Sequence, residues 1–322
     1  MNEEDSVKHA AVLGHPIGHS KSPLLHGAAY AHLGADISYT RIDLDELRLD
    51  EFLKMQAHAA DAADWVGWSV TMPLKAALVP AMDSVSERVR ALGVLNTVVF
   101  ERADVSAGSC IPRLHAENTD VDGIVAALVG AGLALPAAGH KTDAVRKGSF
   151  AVIGSGGTAA AVFGAAAELG FVEVSVYART PERAEALRPT AEGLGLMLEI
   201  RPLDRLLPDL AGREDSGSGP PQAVVSTLPP RAADRFAEEL PALPQGLPML
   251  DVAYDPWPSA FACGWEAQGG RVVSGLEMLL HQAVRQVELF TAGTPASAEE
   301  QSPQRHAEMV ASMRAALHGH TP

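Results

Sequence analysis

Short apolar runs alternate with helical stripes along the first third of the chain. Residues 10–13, 37–42 and 65–72 read as strands, residues 24–33 as a helix, and a further helical stretch follows Pro73. Strands separated by helices predict a parallel sheet. From 130 to 148 the chain turns rich in Ala, Gly and polar residues, a loose connection before a second unit that opens with Phe150-Ala151-Val152-Ile153-Gly154. Residues 211–221 read as a flexible loop, because strand-like segments follow at 223–225 and 248–250. A last strong helix spans about 275–290, with Leu276, Leu279, Leu280, Ala283, Val287 and Phe290 on one stripe. Beyond Gly293 the pattern is weak, and no internal repeat is visible.

A length of 322 residues suits two domains, each able to bury its own core. With 47% hydrophobic and 20% charged residues the composition is that of a folded globular protein. The net charge of −15 repels nucleic acid and anionic membrane surfaces, so neither is an expected partner. The segment Met1 to Asp5 lacks the features of a secretory signal, and no apolar run reaches the ~20 residues that span a bilayer. Only Cys110 and Cys263 are present, which excludes a disulfide framework and points to the cytoplasm; neither lies in a metal-ligating cluster, so no metal is expected.

The second unit carries the clearest chemistry. After the strand at 150–153 comes Gly154-Ser155-Gly156-Gly157-Thr158-Ala159, then an Ala-rich helix and a second strand at 172–177. Glycines there allow a tight turn and close approach of a pyrophosphate to a helix N-terminus, the dinucleotide-binding arrangement. An NAD site would place an acid at the end of the second strand. This chain has Ala178-Arg179-Thr180, with Arg183 one helical step on. Two guanidinium groups and a hydroxyl suit a 2′-phosphate, so NADP is the expected cofactor. The alternative is a solvated helix start, which the helix dipole disfavours for cations.

In the first unit, Ser20 and Ser22 stand two apart in Gly14-His15-Pro16-Ile17-Gly18-His19-Ser20-Lys21-Ser22-Pro23. In an extended backbone both hydroxyls would face one way and could grip vicinal oxygens of a small polar ligand. Ser22 could instead cap a helix starting at Pro23, which leaves Ser20 unexplained. Ser69 and Thr71 share one side of the strand at 65–72, and Lys75 falls in the first turn of the next helix, the unfavourable end of a helix dipole for a cation. A lysine so placed can exchange protons, although exposure is the commonest fate of a lysine. Asp120, in Asn118-Thr119-Asp120, is a helix-start acid or the ionic partner that orients Lys75. Reducing a ketone by hydride transfer needs a proton donor at its oxygen. No Tyr-x-x-x-Lys exists, since Tyr30, Tyr39, Tyr177 and Tyr254 are followed four positions on by Gly34, Asp43, Pro181 and Pro258. Lys75 is the donor that remains.

Together these residues resemble the shikimate dehydrogenase family from about Ala10 to Gly293. The matching pieces are the 16–23 segment, Val70-Thr71-Met72-Pro73-Leu74-Lys75, Asn96-Thr97, Asn118-Thr119-Asp120, the glycine turn, Ala178-Arg179-Thr180, and Gly275-Leu276 with Met278, Leu279 and Gln282. The resemblance implies reversible NADP-dependent reduction of 3-dehydroshikimate to shikimate, on the route to chorismate and the aromatic amino acids. It implies that Ser20, Ser22 and Tyr254 meet the substrate carboxylate, that Thr71, Asn96 and Gln282 hold ring hydroxyls, and that Lys75 and Asp120 are the catalytic pair. Gly154 to Ala159, Ala178, Arg179, Thr180, Arg183 and Gly275 would contact the cofactor. The implied fold is α/β with two domains: a parallel α/β substrate domain over 1–123, a Rossmann domain over 124–274, and helices over 275–322 returning to the first domain.

Four features depart from the family's usual pattern: Ser69 for Asn and Leu95 for Ala, Ser226-Thr227-Leu228-Pro229 near the nicotinamide, Thr158 for a smaller residue, and a longer tail after Gly293. A quinate/shikimate or aminoshikimate dehydrogenase is the neighbouring alternative, with Ser69 and Leu95 as the residues to decide it. A non-catalytic sensor of shikimate and NADP is the remote one, and the presence of both Lys75 and Asp120 argues against it. A monomer or homodimer is expected.

Overall fold

The computed structural model describes residues 7–57, 64–101, 112–135, 146–212, 220–294, 296–298 and 301–319. The chain divides into two compact units, one of 1–119 with 282–322 and the other of 120–281.

The first unit is built on a six-stranded sheet of β1 (Lys8–Gly14), β2 (Ile37–Asp43), β3 (Trp65–Val70), β4 (Ser84–Val85), β5 (Thr97–Glu101) and β6 (Arg113–Glu117), in the order β2-β1-β3-β5-β6-β4. The expected parallel arrangement holds for β1 with β2 and β3, and for β4 with β6. It fails at β5, which runs antiparallel to both β3 and β6. β5 and β6 are consecutive strands, an order in which antiparallel pairing requires no crossover. Leu13, Trp68, Val70, Leu74, Leu95 and Val98 fill the core, and Trp68 meets Phe100 edge to face at 4.7 Å.

The second unit holds β7 (Arg146–Ile153), β8 (Phe171–Ala178), β9 (Met197–Pro202), β10 (Ala223–Ser226), β11 (Pro248–Asp251) and β12 (Arg271–Ser274). Their order, β12-β11-β10-β7-β8-β9, is parallel throughout, the doubly wound dinucleotide-binding order with its switch point between β7 and β10. Helix Ala159–Glu168 is buried from Ala159 to Ala166, where small side chains let it lie close on a sheet covered on both faces.

Helix Gly275–Thr291 forms where its apolar stripe predicts, and the division between the units falls within it, between His281 and Gln282. Two other expectations change. The helix after Pro73 is a single turn, Leu74–Ala77, so a dipole argument for Lys75 has little force. The weakly patterned tail contains helix Pro303–His318, which packs on helix Ser22–Leu33 and buries Met309, Met313 and Leu317. Ser302 caps it and Pro303 sits in its first turn, signals that were legible in the sequence. Residues 136–145 of the loose connection, 213–219 of the flexible loop, and Cys110 lie outside the described residues.

Candidate active site

The serine segment is not extended. Ser20 N–H donates to the Ile17 carbonyl at 3.0 Å, and Lys21 adopts a right-handed helical conformation, so the alternation expected of a strand does not apply. Nor does Ser22 cap the helix: it is the first helical residue, behind Lys21. Ser20 Oγ instead accepts the Ser22 N–H at 3.3 Å, which brings the two serines together through a turn. Strand β2 holds this segment with alternate residues. Asp43 accepts from Ile17 N–H at 3.3 Å and pairs with His15 at 2.7 Å. The Arg41 guanidinium donates twice to the Ser20 carbonyl, at 2.6 and 3.1 Å. Ser22 lies beside the Tyr39 phenol, whose pKa is raised chiefly by burial. The hydrogen bond from His15, then that from Ile17 N–H, holds the Asp43 carboxyl below its ordinary range.

Asn96, just before β5, sits in a buried polar cluster. Its Oδ1 accepts from Thr119 N–H at 2.7 Å, and its Nδ2 donates to Thr119 Oγ1 at 3.0 Å and to Gln282 Oε1 at 3.3 Å. Asn118 donates to the Val94 carbonyl at 3.0 Å, so the residues immediately before Asp120 are tied to the sheet. One helical turn beyond Gln282, Gln286 donates to the Asn96 carbonyl and to Thr97 Oγ1, and accepts from Ser69 Oγ and His26. Tyr39 donates to Ser69 Oγ at 2.6 Å and stacks on the His26 ring at 4.0 Å. Burial lowers the His26 pKa to about 3, so the imidazole is neutral.

Of the residues singled out in the first unit, Asn96 and Gln282 therefore belong to one hydrogen-bonded system, while Ser22 lies beside its Tyr39 end and is joined to Ser20. Sequence reasoning missed Tyr39, His26 and Gln286 as its members. Gln286 carried a signal, being four residues from Gln282 and hence on the same helical face. Ser69 lies inside this system, and Leu95 lies fully buried in the apolar core.

Thr71 follows β3, with its N–H bonded to the Leu13 carbonyl. Lys75 is half-buried and its carbonyl accepts from Leu95 N–H. Asp120, buried, opens helix Asp120–Gly130 at the start of the second unit. Tyr254 is half-buried in the second unit, and burial, then the neighbouring Asp255, raises its phenol.

In the second unit Gly154 follows β7 with φ 103°, its N–H bonded to the Tyr177 carbonyl, and a Cβ there would stand 2.7 Å from Thr227 Oγ1. Thr227 donates from its N–H to the Ile153 carbonyl, so the turns after β7 and β10 are laced together at the switch point. Beyond Gly154, Gly156 and Gly157 are exposed, Gly156 faces open space, and Ser155 and Thr158 are half-buried, leading to Ala159 at the helix start. No acidic residue occupies that first turn. Ala178 ends β8, and Arg179, Thr180 and Arg183 are exposed. Neither arginine has an ionic partner among the described residues. Open glycine backbone beside unpaired cations fits a dinucleotide with a 2′-phosphate. Gly275 begins its helix against the Val252 carbonyl, where any Cβ would collide. Among the described residues no group of His, Cys, Asp and Glu could hold a metal ion, and no helix is long and apolar enough to cross a membrane.

Residues 12–98 match the family model for the shikimate dehydrogenase substrate binding domain, and 275–300 that for the shikimate 5′-dehydrogenase C-terminal domain. A shikimate dehydrogenase (NADP(+)) of Methylobacterium radiotolerans is 33% identical over 289 residues, 89% of this chain and 92% of the relative. The crystal structure of a shikimate 5-dehydrogenase from Mycobacterium fortuitum is 36% identical with a TM-score of 0.73, covering 96% of this chain and 97% of that one. That of the shikimate 5-dehydrogenase from Thermus thermophilus, in complex with NADP(H) and shikimate, is 31% identical with a TM-score of 0.69 over 96% and 99%.

Proposed function

The chain belongs to the shikimate dehydrogenase family, and from that premise we propose how its residues divide the work. The protein is an NADP-dependent oxidoreductase that reversibly reduces 3-dehydroshikimate to shikimate, a step toward chorismate and the aromatic amino acids. The first unit takes the substrate and the second the cofactor. NADPH, when bound, supplies the hydride. Lys75 gives its proton to the carbonyl oxygen during reduction and takes it back from the hydroxyl during oxidation, so the ketone gains one hydride and one proton in all. Asp120 orients the Lys75 ammonium. Ser20, Ser22 and Tyr254 meet the carboxylate, while Thr71, Asn96 and Gln282 take the ring hydroxyls. Gly154, Ser155, Gly156, Gly157, Thr158 and Ala159 approach the pyrophosphate, Ala178, Arg179, Thr180 and Arg183 surround the 2′-phosphate, and Gly275 also contacts the cofactor.

The observation that carries this reading is the joining of Ser69, Asn96, Gln282 and Gln286, far apart in sequence, in one hydrogen-bonded system of the first unit that Ser22 lies beside. Such a cluster of buried polar side chains suits a small, highly oxygenated ligand. We further propose a cytoplasmic monomer or homodimer, in keeping with two cysteines and a metabolite substrate.

The test follows loss of NADPH absorbance, then of NADH, with 3-dehydroshikimate and 3-dehydroquinate offered separately. Rapid oxidation of NADPH confined to 3-dehydroshikimate is expected. Comparable rates on both ketones would move the protein to the quinate/shikimate group, and no oxidation would leave a binding function.

A further inference from the structure

Gln286 is 1% exposed, and its carboxamide makes every hydrogen bond it is able to make. Nε2 donates to the Asn96 carbonyl at 3.2 Å and to Thr97 Oγ1 at 2.9 Å; Oε1 accepts from Ser69 Oγ at 2.7 Å and from His26 Nε2 at 3.2 Å. A backbone carbonyl only accepts, so the Asn96 bond decides which end of the amide is which. The rest follows by elimination. Because Oε1 only accepts, His26 carries its proton on Nε2, and its Nδ1 accepts from Tyr30 at 3.0 Å. Ser69 donates to Oε1, so it accepts from Tyr39 at 2.6 Å. With the single Tyr39 proton thus engaged, its oxygen has only lone pairs left to offer the Ser22 side chain beside it. On the other arm Thr97 donates to Asn96 Oδ1 at 2.8 Å, which is also held by Thr119 N–H, and this turns Asn96 Nδ2 toward Gln282.

We propose that Gln286 is a positioning residue for the substrate, setting the orientation of Ser22 through Ser69 and Tyr39 and that of Asn96, and so of Gln282, through Thr97. The inference rests on the reading above that these three residues meet substrate. Gln286 itself need not touch the ligand. Fully satisfied buried networks hold their members in one arrangement, and losing a member leaves others unpaired. When a carboxylate competes for the Ser22 proton, Tyr39 keeps its bond to Ser69, so the exchange strands no buried group.

The experiment is steady-state oxidation of shikimate at saturating NADP by wild type, Gln286→Met, Tyr39→Phe, Ser22→Ala and the Ser22→Ala/Gln286→Met double variant, each below its melting transition. Gln286→Met is expected to raise KM for shikimate about tenfold, as the loss of a buried hydrogen bond implies, with kcat and KM for NADP within about twofold. Its effect should combine less than multiplicatively with that of Ser22→Ala. Should Gln286→Met fail to fold, Tyr39→Phe, which removes the hydroxyl between Ser69 and Ser22, is expected to raise the same KM several-fold and to add little to Ser22→Ala. An unchanged KM for shikimate in a folded variant, or fully multiplicative effects, overturns the proposal while the functional reading stands. Absence of shikimate oxidation by the wild type overturns both.

Discussion

The first unit turns its polar side chains toward one another, whereas the second leaves its chemistry on open backbone and unpaired cations. Ser69, Asn96, Thr97, Thr119, Gln282 and Gln286 are all buried and joined by hydrogen bonds, with buried Ser22 nearby, and none carries a charge. Gly156, Arg179 and Arg183 are exposed and meet no such partners. The contrast follows from what each site has to recognise. A small ring with several hydroxyls is told from its relatives by direction, which a rigid hydrogen-bonded wall supplies. A phosphate is recognised by charge and by N–H groups, which need exposure more than rigidity. Substitutions in the first unit should therefore interact with one another, and those in the second should act nearly independently and respond to salt.

The sharpest break would come at Lys75, which belongs to neither pattern. Lys75→Ala should lower kcat about a thousandfold while shikimate binding stays measurable by calorimetry; a loss under tenfold would remove Lys75 from proton transfer. Next in size is the pH dependence of the first unit's interior. With His26 lowered to about 3 in the folded state and ordinary when unfolded, the unfolded chain takes the proton first as pH falls. The stability it contributes is complete above about pH 6.5 and is lost progressively toward pH 3, roughly 2–3 kcal/mol of it by pH 4.5. Urea unfolding of wild type and His26→Gln across that range should show the gap between them change accordingly, and a gap independent of pH would contradict a neutral buried imidazole.

In the second unit, replacing both Arg179 and Arg183 by Ala should raise KM for NADPH about a hundredfold and leave NADH almost untouched. Equal losses for the two cofactors would remove the 2′-phosphate from these side chains. The smallest effect belongs to Arg188, whose pair with Glu185 is exposed. Arg188→Ala should leave both Michaelis constants where they were and lower the melting temperature by only a few degrees, since the exposed pair is screened and one part-buried bond to the Leu198 carbonyl is lost.

Much of this was readable along the chain because it depends on neighbours in sequence. The strand, glycine turn and Ala-rich helix at 146–168 rest on local backbone requirements, and so does the choice of Arg over an acid after β8. The 275–291 helix was legible from its stripe, and so was the placement of Lys75 in the helical turn after Pro73, although that helix is only one turn long. The serine segment misled: two hydroxyls two apart imply a common face only in an extended chain, and the turn from Ile17 to Ser20 with a helical Lys21 replaces that geometry by another. Strand β5 misled in the same way, since the direction of a strand is a property of its partners.

What the sequence alone determined is the inventory of chemistry and its local placement, because turns, caps and amphipathic faces are set by a few adjacent residues. The tertiary structure decided which polar groups would share a partner. Gln286 is an ordinary helical glutamine until the packing of β3, β5 and two helices brings Ser69, Thr97, the Asn96 carbonyl and His26 to its one carboxamide. Hydrogen bonds are short and directional, so contacts between residues as much as 260 positions apart in the chain exist only once the fold has closed around them.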